Sequence, residues 1–299
     1  MTQPRLSDDE VAAILGHAFE FKHENEGRTV VVKASGKIID NEAIRNSFAQ
    51  QVNVMRRDLG LKVVVVHGAG NRIDAALAAA GKTSLKRNGL RVSQADHIEI
   101  IDSATREANK ILTDTFNTYA GNHVKPYGLS GHHPDLRMQA SAIDAYNDNF
   151  SGENVIDVNK WFLKHMLDDG KTIPIITNMC ANITPIDGVT KINVNADTVA
   201  ARLAISLGAH RLLMCSDVPG VLDLEKRIIP EIKPDEVDGL VRDGTLSGGM
   251  LVKVNEAFEV ASRMTPESAV IIMDEKFLLE LLTPMGRGTM FRSPALVAA

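Results

Sequence analysis

The sequence predicts an α/β protein: a three-layer αβα sandwich around a mainly parallel central sheet, preceded by an amphipathic helix. Three observations carry this expectation. Apolar runs recur at TVVVKASG (29–36), LKVVVVHGAG (61–70), TIPIITNMC (172–180), RLLMCSDV (211–218) and SAVIIMD (268–274). They are continuous rather than alternating, as strands covered on both faces must be. The first two end in glycine directly before a segment with helical spacing of its apolar residues, which reads as strand, tight turn and helix, twice.

The elements follow in order. From Ser7 to about Phe21 the spacing places Val11, Ile14, Leu15, Ala18 and Phe19 on one helix face, with Ser7 and Glu10 as a capping box. Its apolar stripe has to cover either its own domain or another subunit. Residues 1–27 form this arm, 28–190 a first lobe and 191–299 a second, on one continuous sheet. Within the first lobe, Pro126 to Gly188 is rich in Gly, Pro, Asn and Asp and reads as hairpins and loops inserted into the α/β frame. In the second, INVNAD leads into a helix from about Ala196 to Leu207, stopped by Gly208. Neither a solenoid repeat nor a low-complexity tract interrupts the chain.

Composition removes whole classes of function. The chain has 299 residues, enough for one large or two modest domains. Its formal charge of −5 provides no global field for nucleic acid or anionic lipid, and aromatics at 4% leave little for base stacking. The polar, acidic start MTQPRLSDDE matches neither a secretory nor a transit signal, and no apolar stretch reaches the length of a membrane span, so a cytoplasmic setting is expected. Cys180 and Cys215 fit no metal spacing and read as buried thiols, and His132-His133 reads as a solvated loop pair.

The chemistry concentrates at the strand ends. Glycine turns at the carboxyl ends of parallel strands, followed by helices, suit an anion such as phosphate, although a tight turn can need glycine simply for φ > 0. No GxxxxGK[ST] is present, and Ile73 stands where a dinucleotide fingerprint after Gly68-Ala69-Gly70 needs its third glycine. A P-loop enzyme and a standard dehydrogenase are therefore disfavoured. Lys33 lies inside an apolar strand three residues before Gly36 and needs either an acidic partner, such as Asp197 or Asp217, or a bound anion. Lys253 follows Gly248-Gly249 in what reads as the first turn of a helix, against the dipole, and is either compensated or simply exposed. Asp197, in a helix's first turn, complements the dipole in any case.

These blocks together resemble the amino acid kinase family, and within it the N-acetylglutamate kinases. The similarity runs in order from VVKASG at Val31 through VVVVHGAG at Val63, NGLRVSQAD at Asn88, GLSG at Gly128 and GENVIDVN at Gly152. It continues through INVNADTVAARL at Ile192, GTLSGGMLVKVNEAF at Gly244 and LLELLTPMGRGTMF at Leu278. The resemblance implies transfer of the γ-phosphoryl of MgATP to the side-chain carboxylate of N-acetyl-L-glutamate, a step of arginine synthesis, with Mg2+ held mainly by the phosphates. It implies that Lys33 and Lys253 neutralise the phosphoryl group and Asp197 orients both. It assigns Gly68, Ala69, Arg91 and Asn193 to the acceptor. Gly36, Asp217, Val218, Gly220, Gly249 and Met250 go to the nucleotide. A carboxylate nucleophile needs no general base, in keeping with the lack of a catalytic His or Cys.

The resemblance further implies a homodimer, with a hexamer through the N-terminal helix, L-arginine inhibition involving Glu280 and Gly286, and docking of a PII-type signalling protein. Departures from the family pattern bear on the acceptor. Ser35 replaces a glycine and is strained if its φ is positive, Ala69 replaces another, Lys37 is added, and Glu275 stands where histidine is common. Kinases of other amino acids or N-acyl dicarboxylates, such as aminoadipate derivatives, aspartate, glutamate or carbamate, stay open, as does a non-catalytic ATP- and amino-acid-binding homologue.

Overall fold

The computed structural model describes residues 7–87, 90–186, 188–278 and 287–293. Helix α1 (Asp8–Asn25) leads into β1 (Thr29–Ala34), α2 (Gly36–Asp40), α3 (Glu42–Arg57), β2 (Lys62–His67) and α4 (Gly70–Ala79). An antiparallel pair, β3 (Leu85–Arg87) and β4 (Leu90–Val92), precedes the long α5 (Ile98–Ala120). Then come β5 (Lys125–Leu129), β6 (Gln139–Asp144), β7 (Asn149–Asp157), α6 (Lys160–Leu167), β8 (Thr172–Thr177), β9 (Met179–Asn182) and β10 (Lys191–Val194). The remainder holds α7 (Ala196–Leu207), β11 (Arg211–Cys215), α8 (Val237–Arg242), α9 (Gly248–Arg263), β12 (Ala269–Met273) and β13 (Thr289–Arg292).

Seven strands form one sheet in the order β13-β12-β11-β1-β2-β8-β5, parallel throughout except for β13, which runs against β12. The alternation of a pleated strand divides β1 between two apolar layers. Val31 faces a cluster with Val64, Leu203 of α7 and Val254 of α9. Val30 and Val32 face the other, with Phe48 of α3 and Phe116 of α5. This is the expected αβα sandwich. The carboxyl ends of β1, β2, β8 and β11 emerge along one edge, where an open parallel sheet binds ligands. From that edge β8 passes through Asn178 into β9, and β10, β7, β6 and β9 close on one another as a small barrel.

Three expectations about the elements need correction. The 126–188 stretch is not wholly inserted, since β5 and β8 are strands of the main sheet. β5 reads KPYGL, whose proline and glycine hide a strand, and only its position at the sheet's outer edge tolerates them. TIPIITNMC is two strands, broken at Asn178. Helix α1 runs four residues past Phe21, its end tied by the Asn25 amide donating to the Phe21 carbonyl at 2.9 Å. Its start is as read: the Glu10 N–H donates to Ser7 Oγ at 3.2 Å and the Ser7 N–H to the Glu10 carboxylate at 2.7 Å. Val11, Ile14, Leu15 and Phe19 of its stripe are exposed, Phe19 at 69%, so this chain's described residues do not cover that face.

Both cysteines are buried free thiols, as expected, and burial pushes Cys180 up and Cys215 up to about 12. His132 is not a solvated residue: it pairs with the buried Asp102 at 3.2 Å, while His133 stacks on Phe162. No described helix is long and apolar enough to cross a membrane.

Candidate active site

Lys33 is the fifth residue of β1 and its Nζ meets Asp197 Oδ1 at 2.9 Å. Of the two acidic partners open from sequence, the pairing selects Asp197, and Asp217 is exposed in the loop after β11. The local sequence explains why Asp197 is there. β10 ends at Val194, Asn195 caps α7 by accepting from the Asp197 N–H at 3.2 Å, and Asp197 falls in the first turn, where its charge complements the helix dipole. Gly208, left-handed at φ 62°, closes the same helix as expected.

Two clefts meet at Lys33. The larger, of about 290 Å³, lies between α7, α9 and the sheet and is lined by Lys33, Asp197, Ser216, Lys253 and Glu256 among others. The smaller, of about 270 Å³, is lined by Lys33, Gly36, Gly68, Ala69, Arg91 and Asn193 among others. Lys33 and Asn195 line both. The two lysines and the aspartate therefore share one cavity. Lys253 is the sixth residue of α9, in its second turn and not the first, because the helix starts at Gly248. One turn on, Glu256 has its carboxyl pushed up by burial and by the charges of Asp197 and Glu259, with Lys253 opposing.

The other residues assigned to the nucleotide are placed differently. Gly36 lines the smaller cleft. Asp217, Val218, Gly220, Gly249 and Met250 line neither, although Ser216 and Lys253 beside them in the chain line the larger. Gly220 has a packing reason: a Cβ there would stand 2.8 Å from Thr289 Oγ1 on β13, which also accepts from the Val221 N–H at 2.8 Å.

The smaller cleft is a backbone cradle. Ser35 has φ −75°, so the condition for strain is not met, and Gly36, Gly68 and Gly70 are not left-handed either. Their glycines are not explained by φ. A Cβ on Gly70 would meet nothing within 4 Å, one on Gly36 only the Asn71 amide at 3.9 Å, and one on Gly68 the Ala196 Cβ at 3.4 Å. What glycine provides there is open space beside bare N–H groups, the requirement of a bound anion. Arg91 is nearly buried and held against this cleft by Asp74 and Ser84 on one nitrogen and by the Gly70 carbonyl at 3.1 Å on another. Arg91 thus forms a structural salt bridge with Asp74 as well as facing the cleft. Asn193 donates to Ser93 Oγ at 3.2 Å and accepts from Asn178 Nδ2 at 3.0 Å.

Sequence reading missed Asn178, whose side chain lines the same cleft with a buried Oδ1 that no described protein group satisfies. The available signal was its position: a polar residue directly at the carboxyl end of a fully buried strand. Asn195 was missed as well, since nothing in the spacing of INVNAD separates a helix cap from a cleft residue. Glu280 and Gly286 lie outside the described residues.

A family model described as the amino acid kinase family matches residues 28–273. The chain belongs to the amino acid kinase family. It is 32% identical over 290 residues to an acetylglutamate kinase of Chromobacterium violaceum, covering 95% of this chain and 98% of that one. With an acetylglutamate kinase of Bordetella avium the identity is 35% over 302 residues, at 95% coverage of each. Among solved structures, carbamate kinase from Giardia lamblia bound to AMP-PNP superposes with a TM-score of 0.63 at 19% identity, over 89% of this chain and 99% of that one. N-acetylglutamate synthase from Neisseria gonorrhoeae, complexed with coenzyme A and N-acetyl-glutamate, gives 0.77 at 19% identity over 94% of this chain, which spans 63% of that longer protein. Both likenesses are of fold. This amino acid kinase family member is a phosphotransferase, as its family and its curated relatives are.

Proposed function

We propose that this kinase transfers the γ-phosphoryl group of MgATP to the side-chain carboxylate of N-acetyl-L-glutamate, giving an acyl phosphate and ADP. The observation that carries the reading is the Lys33–Asp197 pair at the junction of two clefts, with Lys253 in the wall of one of them. The carboxylate is ionised at neutral pH and attacks the γ-phosphorus directly while the bond to the ADP oxygen breaks. No proton has to move, so the demand on the protein is positioning and charge. Lys33, steered by Asp197, sits where acceptor and phosphoryl group meet, and Lys253 neutralises the leaving side. The open glycines at 36, 68 and 70 leave room for the oxygens, and the Arg91 guanidinium offers a planar fork to the acceptor's carboxylate. When bound with the nucleotide, magnesium would be held by its phosphates and would supply charge shielding to the transferring group. Carboxylates facing the larger cleft, Asp197 and Glu256, suit the ion's retained waters rather than a protein cage. Residues 28–190 then act as the acceptor lobe and 191–299 as the nucleotide lobe.

The exposed stripe of α1 supports a second copy of this chain as its cover, in a homodimer or a larger ring. Two measurements test the reading. ADP release should be strong with N-acetyl-L-glutamate and weak with glutamate, aspartate, carbamate or an aminoadipate derivative; ATP binding without ADP release on any of them would leave a non-catalytic homologue instead. Removal of residues 1–25 should lower the assembly mass by sedimentation, and an unchanged mass would withdraw α1 from the interface.

A further inference from the structure

We infer that His67 and Asn109 are positioning residues that aim the Ala69 N–H into the smaller cleft; the inference rests on the proposed phosphoryl transfer. The chain of contacts starts at a carbonyl, which fixes every later role. Asn109 Nδ2 donates to the Ile175 carbonyl at 2.8 Å and lies 2.9 Å from His67 Nε2. An amide oxygen turned toward that carbonyl would be repelled, so the nitrogen faces both, and Nε2 has to be the acceptor. The proton of the neutral imidazole is then on Nδ1, which donates to the Gly68 carbonyl at 3.0 Å. His67 is fully buried, and burial lowers it to about 4, so it holds this single tautomer at neutral pH.

A trans peptide points its C=O and its N–H in opposite directions. Once the imidazole has drawn the Gly68 carbonyl toward itself, the N–H of Ala69 in the same peptide unit is turned away from the core. Gly68, Ala69 and Gly70 line the smaller cleft, and no described protein group accepts from that N–H. A donor held in this way requires no reorganisation when a phosphoryl or carboxylate oxygen arrives. Gly128 of β5 makes room for the relay: a Cβ there would stand 2.3 Å from Asn109 Oδ1 and 2.9 Å from Thr113 Oγ1. A glycine at the far edge of the sheet is thereby linked to the cradle through one side-chain amide and one imidazole.

Three substitutions at His67 separate positioning from packing. His67→Asn places an amide N–H where Nδ1 was; His67→Gln reaches only the Nε2 position; His67→Phe keeps the volume and loses both. With N-acetyl-L-glutamate and ATP, turnover in His67→Asn should stay within about tenfold of the parent, while His67→Gln and His67→Phe lose about 10²–10³, the usual cost of one preorganised donor. KM for ATP should move little in all three. Equal losses in the three, or losses that follow their melting temperatures, would overturn the inference. If none of them folds, Gly128→Ala decides: a comparable fall in turnover with KM for ATP unchanged supports the relay, and normal turnover removes it. Wild-type protein that releases no ADP with any acceptor would instead refute the proposed reaction, and this inference with it.

Discussion

Lys33 shows how one residue's cost becomes its use. An ammonium on a buried strand needs a counter-charge, and Asp197 at 2.9 Å provides it in the resting protein, with 16% of the lysine side chain still open to the clefts. Breaking such a pair from one side strands the other charge, so Lys33→Ala and Asp197→Asn are not equivalent. In the proposed reaction each lysine faces the transferring group, so Lys33→Ala and Lys253→Ala should each lower turnover by at least about 10²-fold while leaving the melting temperature within a few degrees. A coupled ADP assay beside thermal unfolding checks this, and near-normal rates in both variants would sink the mechanism. Arg91 makes a finer case. It already holds Asp74, Ser84 and the Gly70 carbonyl, and a lysine cannot reproduce that planar fork. Arg91→Lys should therefore raise KM for the acceptor by about tenfold or more, the weight of one charge-assisted hydrogen bond, with KM for ATP unmoved. Equal shifts in both constants would show that Arg91 supports the fold and not the acceptor.

At the level of elements, two kinds of glycine can be told apart by experiment. Gly208 ends α7 in the left-handed region, with open space where a Cβ would go, whereas Gly36 starts α2 with ordinary φ and a Cβ direction that meets only Asn71 at 3.9 Å. Gly208→Ala should cost about 1 kcal/mol of stability and leave turnover unchanged. Gly36→Ala should do the reverse: stability equal or slightly higher, turnover sharply lower, because its methyl group enters the cleft. Urea unfolding beside the ADP assay separates them, and a Gly36→Ala variant with full turnover would remove that turn from the cradle. The same contrast explains what could be read in advance. The capping box of α1, the β10–Asn195–α7 junction and the central strands are written in residues close together in sequence. β5, Asn178 and the His67–Asn109 contact are not. An edge strand containing proline becomes a strand only when a sheet is there to receive it, and a hydrogen bond spanning 42 residues has no local signature.

Across the whole molecule, titration should make the protein fragile in mild acid, through groups that lie apart in the fold. Burial lowers His67 to about 4, and burial together with the charges of Arg211, Arg28 and Arg292 lowers His210 to about 3. Both are neutral in the folded chain, while in the unfolded chain each takes a proton near pH 6.5. Unfolding therefore gains protons over that interval: the full stability is present above about pH 6.5 and drains away as pH falls toward about 4 for His67 and about 3 for His210. For His67 alone the loss is roughly 3 kcal/mol, a large share of an ordinary domain's stability. Asp102 acts lower down. Its burial would raise it, but hydrogen bonds from His132 and Lys191 and their charges outweigh burial and hold it at about 2. Its contribution is intact above about pH 4 and is lost as pH falls through 2. The urea midpoint should accordingly be level from about pH 7 to 8 and fall steadily from pH 6.5 to 4. In His67→Asn, which cannot titrate, that fall should be shallower, because the share that His67 supplies is gone. A midpoint that holds constant down to pH 4 would mean that these imidazoles reach water and gain protons without unfolding. A proton gained at His67 Nε2 would also face the Asn109 amide donor and break that contact, while Nδ1 kept its hydrogen bond to the Gly68 carbonyl.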